Sequence, residues 1–196
     1  MMQRKLMTAV TAGAVSLAAM AGGAFASDNS KDQAEVQAFL GASRTITDAI
    51  KAAETASSGS AVKAEFDDHN GAPAYEVDTI ANGKQITVRI DAASGAVLTT
   101  EDEGEIAKAE ADDITDPAQL GAPLAELAAR AEQAGQGKVM SIGAERDDGK
   151  TPVVEVELAK ADGSTQDFTI AADGTLTKAH DSHEDGDHDG DSEDAG

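Results

Sequence analysis

The 196-residue chain has no cysteine and no tryptophan, only four prolines, and aromatic side chains at 3%. Without cysteine there are no disulfides, no thiolate chemistry, no iron–sulfur ligands and no lipid-modified N-terminal cysteine. Phe39, Phe66, Tyr75 and Phe168 are the aromatics beyond the first 26 residues. The core must therefore be built from Ala, Val, Ile and Leu, each of which buries modest area. Bases are scarce as well: 15 Lys and Arg stand against 37 Asp and Glu, a net charge of −22. Such a charge repels nucleic acid and anionic membrane and favours cations or basic partners. Catalytic motifs are missing too. No H-E-x-x-H, P-loop or paired-glycine fingerprint occurs. Ser94, Ser141 and Ser164 lack the flanking glycines of a nucleophile elbow and have no nearby His. Nothing in the sequence points to an enzyme or to a required cofactor.

The first segment reads as a leader. Arg4 and Lys5 precede an uncharged apolar run from Leu6 to Ala21, and Ala24-Phe25-Ala26 forms an A-x-A site. Residues 1–26 are thus expected to be a secretory signal peptide cut after Ala26, with export to the periplasm. The run is rich in Ala, Gly and Thr, weakly hydrophobic for a span, so no stable membrane insertion is expected after cleavage. Losing Arg4 and Lys5 leaves 13 bases against 37 acids, a charge of −24.

The rest of the chain repeats itself. Ala52-Ala53-Glu54 recurs as Arg130-Ala131-Glu132. Pro73-Ala74-Tyr75-Glu76-Val77 recurs as Pro152-Val153-Val154-Glu155-Val156, and Ala92-Ala93-Ser94-Gly95 as Ala171-Ala172-Asp173-Gly174. Near-constant spacing between such pairs marks an internal repeat, which must be recognised before any fold assignment. In each copy a helical pattern comes first. Thr45 is a good N-cap with Asp48 at N3, and Ile46, Ala49, Ile50, Ala53 and Ala56 follow at helical spacing. Leu124, Leu127, Ala128 and Ala131 form the matching stripe, which stops at Gly135 and Gly137.

The period then changes to two. Val62, Ala64 and Phe66, then Tyr75, Val77 and Thr79, then Ile86, Val88 and Ile90 alternate with polar residues. Asn70-Gly71 and Asn82-Gly83 turn the chain between them, and Ser94-Gly95 leads to a short fourth strand at Val97-Leu98. The second copy carries Val139, Ser141 and Gly143, then Val154, Val156 and Leu158, then Phe168 and Ile170. Its turns are Asp148-Gly149, Asp162-Gly163 and Asp173-Gly174. The fold class expected is α+β: two tandem units, each a helix packed on a small antiparallel β-meander. The boundaries expected are a lead-in at 27–44 with a helix over Asp32–Leu40, units at 45–100 and 122–178, an acidic linker at 101–121, and a disordered Asp/His-rich tail at 179–196.

These residues resemble the PepSY domain family. Unit one carries Ala49-Ile50, Ala53-Glu54, Pro73-Ala74-Tyr75-Glu76-Val77 and Ile90-Asp91-Ala92-Ala93-Ser94-Gly95-Ala96-Val97. In unit two Val154 replaces Tyr75, and Ile170-Ala171-Ala172-Asp173-Gly174 lacks the Asp of the D-A-x-S-G segment. The resemblance implies a non-catalytic exported protein whose partner is another protein. An envelope peptidase, restrained through a sheet edge or an exposed apolar face, is the partner it suggests.

The sharpest chemical pattern lies in the tail. Asp185, Asp187, His188, Asp189 and Gly190 follow the first half of an EF-hand loop, with Asp191 and Glu193 beyond. Alternate carboxylates at this spacing converge on one Ca²⁺ while glycine makes the turn. Position twelve needs a bidentate Glu and is Gly196, so only weak affinity is expected. His180, His183 and His188 add imidazoles suited to Zn²⁺, Cu²⁺ or Ni²⁺. Divalent-cation binding or buffering through this tail is the alternative function. His69, in Asp67-Asp68-His69-Asn70-Gly71, reads as a turn residue rather than a metal ligand or general base. Glu76 and Glu155 are repeated, yet alternate with apolar neighbours and read as outward-facing strand residues.

Overall fold

The computed structural model describes residues 25–68, 72–106, 116–147, 151–171 and 173–179. Helices α1 (Phe25–Leu40) and α2 (Ile46–Ser57) lead into strands β1 (Ser60–Asp67), β2 (Ala74–Ala81), β3 (Lys84–Asp91) and β4 (Val97–Glu105). A 3₁₀ turn at Pro117–Gln119 precedes α3 (Leu124–Gly135). Strands β5 (Lys138–Asp147), β6 (Thr151–Ala159), β7 (Thr165–Ala171) and β8 (Leu176–Lys178) complete the chain. All eight strands form one antiparallel sheet in the order β4-β3-β2-β1-β5-β6-β7-β8. The α+β class is as expected. No helix among the described residues is long and apolar enough to cross a membrane.

Local chemistry accounts for the helices. The Thr45 hydroxyl accepts from the Asp48 N–H at 3.2 Å, and the Asp48 carboxylate accepts from the Thr45 N–H at 3.3 Å. This capping box satisfies two N–H groups that helix geometry leaves without partners. Ile46, Ala49, Ile50 and Ala53 are buried, whereas Ala56, expected on the same stripe, lies exposed in the last turn. Helix α3 starts without a side-chain cap, and Leu124, Leu127, Ala128 and Ala131 face the sheet. Helix α1 begins at Phe25 rather than Asp32 and so spans the expected cleavage bond. Its Val36 and Phe39 are buried as expected.

One hydrophobic core runs under α2 and α3 through both halves of the sheet. The few aromatics concentrate at one place in it. Phe39 of α1 meets Phe66 edge-on at 5.3 Å between ring centroids, and Phe66 meets Tyr75 at 5.6 Å. Pairs of this geometry contribute about 0.5–1.5 kcal/mol beyond area burial. Tyr75 is fully buried, and its hydroxyl donates to the Arg44 carbonyl at 2.6 Å, tying the start of α2 to β2. Burial, reinforced by Asp48 and Glu132, pushes its phenol well above the ordinary range.

Two features depart from the alternation read in the sequence. In β5 the register shifts between Val139 and Ser141. Val139 stays buried, but the inward positions then pass to Ile142 and Ala144, while Ser141 and Gly143 turn to the opposite face. A bulge inserts one residue and flips everything after it. The fourth strand is the other departure. It covers nine residues rather than Val97-Leu98, and takes Glu101 to Glu105 out of the expected acidic linker. Strand β3 offers its full length for pairing, and Lys84 Nζ holds Asp102 at 2.7 Å. Gly104, at φ 98°, accommodates the register shift near the strand's end. The turns behave as read where they are described: Asn82 and Gly83 both have positive φ, 53° and 77°. Asn70-Gly71 and Asp148-Gly149 lie outside the described residues.

The repeated Ala-Glu pair has a structural role. Glu54 Oε1 accepts from the Ala61 N–H at 3.1 Å, and Glu132 Oε1 accepts from the Val139 N–H at the same distance. Each carboxylate reaches from its helix to the strand residue just before a bulge, where the ladder leaves a donor without a sheet partner. A second close approach repeats beside it. A Cβ added to Gly59 would sit 2.8 Å from the Ile80 carbonyl oxygen, and one added to Gly137 would sit 2.8 Å from that of Ala159. We expect Glu54→Ala and Glu132→Ala each to lower stability by about 1–3 kcal/mol, with Gln restoring part of the loss. Gly59→Ala and Gly137→Ala should each cost about 1–3 kcal/mol through overpacking against backbone. Urea unfolding midpoints check both pairs, and a cost confined to one member of either pair would contradict the shared role.

Candidate functional site

The sheet has two unlike faces. One carries the core. On the other, cross-strand register builds rows of polar side chains. One row runs Arg89–Glu76–Glu65–Ser141–Glu157–Asp167 across six strands. The next runs Thr87–Asp78–Lys63–Gly143–Glu155–Thr169. Glu65 stands directly opposite Glu76, and Glu157 opposite Asp167. Like charges placed this way destabilise a sheet. Arg89 and Lys63 offset part of the repulsion. Arg89 lies 3.2 Å from Asp67 and 3.7 Å from Glu76, and Lys63 lies 2.7 Å from Glu65.

The electrostatics follow from this crowding. Burial, then Asp78 and Glu65, raise the Glu76 carboxyl above its ordinary range against the opposing pull of Arg89. Burial, then Glu145 and Asp167, raise Glu155 in the same way. For Lys63, burial lowers the ammonium's pKa, but its bond to Glu65 and the charges of Glu65, Asp78 and Glu76 outweigh that and raise it. Where α1 approaches this face, a groove of about 840 Å³ opens between Glu35 and Val36 of α1 and the first acidic row. Phe66 and Met140 form apolar parts of its wall.

The sheet's ends differ as much as its faces. Strand β8 closes one end with three residues, while β4 leaves nine along the other. Val97 and Leu98, at the start of β4, are 45% and 53% exposed, large apolar side chains left in water. Glu101, Glu103 and Glu105 follow along the same edge, exposed.

The sequence-derived candidates divide into groups. His180, His183, Asp185, Asp187, His188, Asp189 and Asp191 lie outside the described residues, as does His69. Among the described residues no three acidic or imidazole side chains are placed to hold a metal ion. Ser94 and Ser164 are turn residues: each hydroxyl donates to the aspartate that opens its turn, Asp91 at 2.6 Å and Asp162 at 2.7 Å. Ser141 sits between Glu65 and Glu157 in the first acidic row. Glu76 and Glu155 do face outward, as their alternation predicts, but in crowded rows rather than alone. The bonds of Glu54 and Glu132 are not foreseen by periodicity or motif. Their signal in the sequence is recurrence, since both carboxylates belong to the repeat.

Comparison with known proteins adds a family match. Residues 45–101, which span α2 through the middle of β4, match PepSY, the peptidase propeptide and YPEB domain. No curated protein matches the chain. A crystal structure of a candidate lipoprotein from Clostridium difficile 630 aligns with 16% identity and a TM-score of 0.42, over 70% of this chain and 95% of that one.

The acidic face predicts how stability changes with pH. Glu76 and Glu155 have folded pKa values above the reference 4.5, so the folded state binds more protons and stability falls as pH rises through their titration. Asp91, Asp102, Asp162 and Asp173 have folded values below the reference 3.8, held down chiefly by turn hydrogen bonds or, for Asp102, by Lys84. Their contribution is present above 3.8 and is lost at lower pH. The melting temperature should therefore peak in mildly acidic solution and decline toward neutrality. Glu76→Gln with Glu155→Gln should flatten the neutral-side decline, and a pH series of thermal melts of both proteins checks it.

Proposed function

We propose that this is a non-catalytic, exported protein-interaction module that restrains or regulates an extracytoplasmic peptidase. The observation that carries the reading is the match of residues 45–101 to a peptidase propeptide domain. A propeptide domain acts by occupying a surface of its partner, and it needs no nucleophile, metal or cofactor of its own. The described part of this chain has two surfaces suited to such contact, a polar sheet face with a groove beside α1 and a long outer edge. The leader-like pattern of residues 1–26 supports a periplasmic location for it.

We infer further that Ala122 to Lys178 is a diverged second copy of the same unit. Paired bonds of Glu54 and Glu132, and paired contacts of Gly59 and Gly137, support this. So does the sheet order, in which four strands run outward from each side of the β1–β5 pair. Val154 stands where Tyr75 stands, so its side chain cannot make a counterpart of the Tyr75 bond to the Arg44 carbonyl in the second copy. The first copy keeps the family pattern and is the one expected to meet the partner.

Capture from a periplasmic extract on the immobilised chain, followed by a casein-hydrolysis assay of what is retained, tests the function. A captured peptidase whose hydrolysis falls when free chain is added is expected. Retention of no peptidase, or of one whose rate is unchanged, would overturn the reading.

A further inference from the structure

We propose that the outer edge of β4 takes up an extended, basic segment of a partner polypeptide by strand addition. The edge strand of a sheet presents unpaired N–H and C=O groups along its free side, a ready template for another strand. Among the described residues strand β4 pairs with β3 alone, and Val97–Glu105 are exposed along it apart from the half-buried Gly104. Val97 and Leu98 stand exposed at the start of this edge and offer apolar contact to one end of an added strand.

Charge selects the occupant. Glu101, Glu103 and Glu105 are exposed along the edge, and Asp102 is held by Lys84 at 2.7 Å. A second copy of this chain pairing edge to edge would bring these acids against their own counterparts, which destabilises the pairing. The chain's own Asp- and Glu-rich residues beyond Lys178 are excluded by the same repulsion. A strand carrying Lys or Arg meets no such barrier and gains from the complementary field. The acids thus close the edge to self-association and leave it open to a basic strand.

Register shifts set how far the pairing extends. They fall at each end of the stretch Thr99–Asp102, which pairs regularly with Arg89, Val88, Thr87 and Ile86. Bulges twist a strand and interrupt its ladder. An added strand is therefore held by a short central stretch, with apolar contact at one end and charge along the other. Such an arrangement favours reversible engagement over permanent assembly.

This deepens the interaction-module reading and rests on it only for the partner's being a protein. Its test uses the chain from Ser27 to Gly196 and a fluorescent peptide of alternating Lys and Val, followed by anisotropy and by amide hydrogen exchange. Binding is expected, with slowed exchange in Thr99–Asp102, and a Glu/Val peptide of the same pattern should bind at least about tenfold more weakly. N-methylation of alternate amides along one side of the peptide should be tolerated. Methylation along both sides should abolish binding, because strand addition needs one intact row of donors. Glu101→Lys with Glu103→Lys should reverse the preference between the two peptides. Absence of binding, survival of binding after methylation of both sides, or unchanged exchange in β4 would overturn the proposal, and the exchange result decides the matter if the double variant does not fold. Peptide binding without any effect on a captured peptidase would overturn the peptidase reading and leave this one standing.

Discussion

The pairing of β1 with β5 is the contact on which the rest of the molecule depends. It is short: Lys63, Ala64 and Glu65 lie against Gly143, Ile142 and Ser141. Bulges at Ala61/Lys63 and Val139/Ser141 bound it on either strand. Yet it makes one sheet out of two meanders and one core out of two. A four-stranded meander under a twelve-residue helix buries little when its core is largely Ala and Val. Joined at this seam, α2 and α3 lie over a shared core, and α1 closes one end of the joint through Phe39 against Phe66. The carboxylates of Glu54 and Glu132 secure the donors beside the two bulges, which is where the ladder would otherwise be weakest.

One consequence is that, among the described residues, the sheet has two edge strands instead of four. The strands that would be edges of separate meanders, β1 and β5, protect each other. What remains exposed is β8, too short to template a partner, and β4, which is long and lined with acid. The seam also aligns the polar rows of the two halves into rungs that cross six strands. Charge that would be scattered over two small surfaces is concentrated on one. Opposed pairs such as Glu65/Glu76 and Glu157/Asp167 work against stability, and burial together with neighbouring carboxylates raises Glu76 and Glu155. A sheet face arranged in this way does not attract a second acidic copy of itself, and it stays available to a partner of opposite charge.

Much of this was legible in the sequence because the signals were local. The Thr45/Asp48 box, the apolar stripes of α2 and α3, and Asn82-Gly83 with its two positive φ values each depend on neighbours within a few residues. The repeat supplied the order of helix and strands in both halves. Other features were not legible, because each needs a residue far along the chain. The flip after Val139 arises at a bulge, and no alternation pattern within β5 announces it. The length of β4 comes from what β3 offers it, including Lys84 for Asp102, and not from the acid-rich stretch itself. Recurrence marked Glu54 and Glu132, but their bonds to Ala61 and Val139 appear only when helix and strand are placed together.

By itself the sequence determined the α+β class, the succession of elements, the caps and turns, the absence of thiol chemistry, and a surface charge that repels other acids. These follow from side-chain periodicity, backbone preference and composition, which act over short stretches or on the chain as a whole. Tertiary structure alone decided that both halves share one sheet, that their acids line up in rungs on its polar face, and that β4 is its long edge strand among the described residues. Those outcomes rest on which strand pairs with which, and in what register. Hydrogen bonds between strands distant in sequence fix both, and any two strands with a similar alternation could have formed them.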